Sequence, residues 1–115
     1  MTEPLRDRLR AALPAAMKAR DRATASTLRA ALAAIENAEA VDAGSVRAGA
    51  IEASAVGIGV AEAERRVLTE ADAVAIVRAE IAEQERAAEV YETSGHPDKA
   101  AELRSAAEVL AAFLE

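Results

Sequence analysis

Cysteine is absent from this 115-residue chain. That excludes disulfides, thiolate metal sites and a cysteine nucleophile, and it suits a reducing compartment, so a cytoplasmic location is the expectation. Tryptophan is missing too, and Tyr91 and Phe113 are the only aromatic residues. With nine leucines and a predominance of alanine to fill the interior, there is little for an extended sheet to pack with, since sheets favour β-branched and aromatic residues. Close-packed helices use small side chains well. No stretch reaches the roughly 18 apolar residues of a membrane span, so no membrane is expected as a partner. Arg6, Arg8 and Arg10 ahead of Ala11 to Met17 imitate a signal peptide, but that apolar run is minimal, mostly alanine, holds Pro14 and is closed by Lys18, which rules against one. Histidine occurs once, at His96, so a histidine metal cluster cannot form.

What is present is helical periodicity in four segments. Leu5, Leu9, Leu13 and Met17 mark a first helix over about 3–19, with Pro4 in its first turn and Pro14 inside it. The latter removes one backbone bond and crowds the preceding turn, which predicts a kink or break near residues 10–13. Asp21 is a suitable N-cap for a second helix over 22–40, striped by Ala25, Leu28, Leu32 and Ile35. Thr69 caps a third over 70–93, with Val74, Val77, Ile81, Gln84, Ala88 and Tyr91 three or four apart. Ser94-Gly95-His96-Pro97 stops it and starts a fourth over 97–114, with Ala100, Leu103, Ala107, Leu110 and Leu114. Short connections within each pair make the partners antiparallel. The fold class is therefore all-α, a four-helix arrangement of two antiparallel hairpins in one domain. Residues 41–67 hold four of the five glycines and read as a long loop between the hairpins.

Several motifs have a chemical and a plainer reading. Gly57-Ile58-Gly59 lacks the third glycine of a dinucleotide fingerprint and the Gly-Lys-Ser/Thr ending of a P-loop, so a surface turn is expected. Glu80, Glu83, Glu85, Glu89 and Glu92 crowd the third helix without the Glu-x-x-His motifs of a di-metal bundle, which reads as a solvated acidic face. Ser94, His96 and Asp98 are neighbours in one turn, not a triad. Gln84 interrupts an apolar stripe and either fixes register or lies at the edge of the bundle. No cofactor and no catalytic residue is expected.

Charge is unevenly placed. Residues 1–35 carry seven Lys or Arg and three acids, a balance of +4, and the remainder carries −10. Lys18, Arg20, Arg22 and Arg29 gather around the first interhelical turn. Such a cluster is either one solvated face of a bundle or a grip for phosphates on RNA, where local charge governs affinity.

Met17-Lys18-Ala19-Arg20-Asp21, Leu28-Arg29, Leu68-Thr69, Glu80-Ile81, Ala88-Glu89-Val90-Tyr91-Glu92 with Gly95, and Glu108-Val109-Leu110 with Phe113-Leu114 follow one another in an order that resembles the GatB/YqeY family. The resemblance covers residues 5–40 and 68–114. It implies a helical region similar to that of the B subunit of the glutamine-dependent tRNA amidotransferase, where helical and tail regions serve tRNA docking and the chemistry occurs in another domain. It further implies a non-catalytic interaction module with tRNA or a translation-associated protein as partner. Two alternatives stand beside it: a structural or homo-oligomerisation module, and an accessory to a carbon–nitrogen ligase with glutamine as amide donor. The family usually continues past the fourth helix into a three-helix tail; on this reading the tail is absent, and the segment 41–67 covers surface that the tail would occupy.

Overall fold

The computed structural model describes residues 3–53 and 68–115, with side chains for 3–40 and 68–115. Among the described residues there are four helices and no strand: α1 Leu5–Lys18, α2 Arg22–Ala53, α3 Glu70–Thr93 and α4 Pro97–Ala112. The turns within each pair are three residues long, so α1 folds back on α2 and α3 on α4. The all-α class read from periodicity holds.

A loop from residue 41 and a break at Pro14 are not found among the described residues. The segment from Val41 to Ala53 is helical and continues α2, where a loop was expected from residue 41. Gly44 and Gly49 each cost about 1 kcal/mol relative to alanine, yet extending an existing helix avoids the costly nucleation step, and no proline intervenes. The rest of that segment, with Gly57-Ile58-Gly59, lies outside the described residues. In α1 the helix runs without a break across Pro14. The carbonyl that Pro14 leaves without its helical donor belongs to Arg10, an exposed residue, where water can take the donor's place.

One core joins the hairpins. Leu5 and Leu9 of α1, Leu28, Ala31 and Ile35 of α2, Val77 of α3 and Leu110 of α4 are all fully buried in it. Leu13, Ile81, Phe113 and Leu114 close over its edges. Met17 was expected to continue the α1 stripe but is 53% exposed, and Ala16 is buried instead. Strict four-residue spacing drifts on a helix of 3.6 residues per turn. By position 17 it lies about 120° from Leu5, whereas position 16 lies only about 20° from it.

Polar ties hold the helix ends. The Leu5 N–H, one of the unsatisfied donors at the start of α1, donates to both oxygens of Glu70 at 3.0 and 2.9 Å. At the opposite terminus of α4, Arg8 Nη1 donates to the Phe113 carbonyl at 2.9 Å, placing a cation where the helix dipole favours one. Arg6 pairs with Glu39, and Arg10 lies 4.0 Å from Glu36. Three of the seven cations in residues 1–35 are thus engaged by the bundle itself. Thr69 and Asp72 form a reciprocal capping box at the start of α3, with bonds of 3.1 and 3.0 Å.

Glu80 opposes this pattern. Partial burial, and secondarily the nearby Glu83 carboxylate, hold its pKa above the ordinary glutamate value. A raised carboxyl pKa means that the folded state favours the proton, so the unfavourable contribution is absent at low pH and develops as pH rises above the unfolded value. Glu80→Gln is therefore expected to raise the urea midpoint at pH 7 and leave it unchanged at pH 3. An equal gain at both pH values would assign the effect to packing.

Candidate functional site

Arg22 N–H donates to the Arg20 carbonyl at 3.1 Å in the turn between α1 and α2, and three further backbone bonds close the end of α1. Ala19 N–H donates to the Ala15 carbonyl at 3.0 Å, Arg20 N–H to that of Met17 at 3.1 Å, and Asp21 N–H to that of Ala16 at 2.9 Å. The last two are the paired bonds of a Schellman stop, whose C′ residue adopts the left-handed conformation. Here that residue is Arg20, with φ 59°. The turn after α3 repeats the pattern, with Gly95 N–H donating to Glu92 and His96 N–H to Tyr91 at 3.3 and 2.8 Å. There the C′ residue is Gly95, φ 86°.

Asp21 then opens α2. Its Oδ1 accepts from the Thr24 backbone N–H at 3.1 Å and its Oδ2 from the Thr24 hydroxyl at 2.7 Å, as expected of an N-cap. These bonds, the hydroxyl's first, keep its pKa below the ordinary aspartate value. The carboxylate is committed to its own helix.

Arg20, Arg22 and Arg29 line one open concavity floored by Ala16 and Ala25, with Met17, Asp21 and Ser26 on its walls. Arg22 and Arg29 are seven residues apart, so they share a face of α2 with Ser26 between them. Lys18 is exposed close by at the end of α1 but does not line the concavity. Among the described residues, none of these four cations forms an ion pair. Three guanidiniums therefore face solvent against a single carboxylate that is already hydrogen-bonded. Guanidinium donors in this setting suit phosphate or carboxylate oxygens. Neither Tyr91 nor Phe113 lines the concavity, so it offers anion contacts without a surface for stacking bases.

The other candidates fare differently. His96 precedes α4 without a side-chain capping bond and stands edge-on to Tyr91, ring centres 6.1 Å apart at 80°. The Ser94 hydroxyl donates to the Tyr91 carbonyl at 3.2 Å, away from any triad geometry. Among the described residues no group of three metal-ligating side chains converges. A shallow groove between α3 and α4 holds Glu85, Glu89 and Glu108 beside Arg86 and Arg104 over Ala82, Ala107 and Ala111, without His96. Gln84 is half-buried, and its Oε1 is buried with no hydrogen-bond partner among the described residues.

Sequence reasoning placed the cations but missed the shape around them. The seven-residue spacing of Arg22 and Arg29 is the sequence signal that could have found their shared face. The left-handed turn had no signal, because glycine usually marks it and here arginine occupies it.

Fold and site together define a pair of helical hairpins with an unpaired arginine corner at one turn. Compared with known proteins, the chain matches no family model, no curated protein and no solved structure. Among the described residues no helix is long and apolar enough to cross a membrane.

Proposed function

We propose that this chain is a non-catalytic helical interaction module of the cytoplasm that docks tRNA, or a protein of the translation machinery, through the corner formed by Arg20, Arg22 and Arg29 with Lys18 beside it. One observation carries the reading: three arginines line a single exposed concavity and none is neutralised by an ion pair among the described residues. Arg6 and Arg10, equally basic in sequence, are paired with glutamates of α2. The resemblance to the GatB/YqeY family supports tRNA as the first partner to try.

Filter binding of bulk tRNA across a salt series tests it. Three phosphate contacts are expected to give a log–log slope of roughly −2 to −3, and Arg22→Glu with Arg29→Glu should flatten it by about 2. No affinity at low salt, or affinity indifferent to these reversals, would sink the docking of nucleic acid and leave the protein partner.

A second reading, self-association, is favoured by the α3–α4 groove and by Val90, which is 65% exposed beside it. Sedimentation of the purified chain decides that question independently.

A further inference from the structure

Resting on the reading that the corner docks tRNA, we infer that Arg20 is a phosphate-gripping contact of the corner, and that the chain accepts a strained left-handed backbone at this residue in order to place its guanidinium there. Two helix stops in this one molecule share the same pair of Schellman bonds. After α3, the C′ position belongs to glycine, which adopts positive φ without a steric penalty. After α1, the same position and the same pair of backbone bonds belong to arginine at φ 59°. The Cβ of an L-residue crowds the backbone in that region, so arginine is a poor choice for the turn as a turn.

Nothing in the packing explains the choice. Arg20 is exposed, it makes no ion pair or side-chain hydrogen bond among the described residues, and it closes none of the core. Its side chain lines the concavity shared with Arg22 and Arg29. A residue held in a sparsely populated conformation at the mouth of an unpaired cationic cluster, where the dipole of α1 returns little to an exposed cation, points to a role in binding. Arginine also differs from lysine in kind. Its planar fork takes two oxygens of one phosphate, whereas an ammonium is a point charge.

Two variants separate the roles. Arg20→Gly keeps the turn and relieves the strain, so its melting temperature is expected to rise by about 4 °C. Its affinity for bulk tRNA should fall roughly tenfold. Arg20→Lys keeps both the charge and the strain. Its melting temperature should match that of the parent, while affinity drops by about threefold through loss of the paired contact. Lys99→Glu, a charge change at the start of α4, serves as a distant control with parent-like binding. A stabilised Arg20→Gly variant with full affinity, in a protein whose binding still fails on Arg22→Glu with Arg29→Glu, would overturn this inference and leave the docking reading intact. Unchanged stability in Arg20→Gly would overturn it as well, since there would then be no strain to account for. Parent-like affinity in Arg20→Lys would refute the paired contact. If the parent chain itself binds no tRNA at low salt, nucleic-acid docking falls and takes this inference with it.

Discussion

Leu28→Ala is expected to destabilise the fold by about 3 kcal/mol, within the range measured for buried leucines cut to alanine. Leu28 has no exposed surface and sits in the cluster that all four helices share. Two terms combine: the lost transfer energy of the removed carbons, and a cavity that neighbouring helices fill only in part. The effect should be severe here because large side chains are scarce. Among the described residues only Leu5, Leu9, Leu28, Ile35, Leu110 and Val77 are large and fully buried. A domain at the lower end of ordinary stability, about 0.05 kcal/mol per residue, would lose close to half of its margin. Urea titration should show a reduced midpoint with an unchanged slope. Met17→Ala, on the same nominal stripe but 53% exposed, should shift stability by less than about 0.5 kcal/mol. Equal losses at the two positions would show that the shared core has been misplaced.

That contrast marks where periodicity is a reliable guide and where it fails. Leu5, Leu9, Leu28, Leu32, Ile35, Val77 and Leu110 were legible because each recurs three or four residues from the next and all lie at the level where four helices overlap. Met17 failed through accumulated angular drift. Tyr91 failed for another reason: it lies near the far end of α3, where every residue from Glu89 to Lys99 is exposed and no second hairpin covers the stripe. A pattern in sequence records which face could be buried, and only the packing partner decides whether it is.

Helix ends were legible where capping chemistry is local. Asp21, Thr69, Gly95 and Pro97 act within a turn of their own positions, so their roles follow from neighbours in sequence. The ties from Glu70 to the Leu5 N–H and from Arg8 to the Phe113 carbonyl span 65 and 105 residues, and no local rule anticipates them. The length of α2 was hidden differently. Gly44 and Gly49 argue for a loop by propensity, yet an established helix is extended at little cost per residue. At the corner, sequence proximity was enough to group Arg20, Arg22 and Arg29. It also grouped Lys18 with them, which lies on a neighbouring surface. Arg6 and Arg10 could not be separated from this group by sequence, because only the fold brings Glu39 and Glu36 against them.

The far half of the α3–α4 hairpin follows a different packing logic, and Ala88→Leu is expected to expose it with a loss of about 1–3 kcal/mol. Ala88, Ala100 and Ala107 are almost completely buried but belong to none of the shared core. Methyl-sized side chains there let two helices approach closely, and an isobutyl group at position 88 has no space to enter. Intrinsic helix propensity differs little between alanine and leucine, and leucine is the more hydrophobic, so a loss can only come from overpacking. Ala101→Leu, on the exposed face of α4, should be close to neutral and serves as the control. This half of the hairpin is also weakly held. Its buried surface is alanine, and the Gln84 oxygen one turn before Ala88 lacks a donor among the described residues. Splaying should therefore stay local. In Ala88→Leu, amide exchange is expected to quicken between residues 84 and 107 more than in α1, whereas Leu28→Ala should quicken all four helices together. Uniform acceleration in both variants would mean that the two hairpins open as one unit, and that the alanine seam has no separate existence.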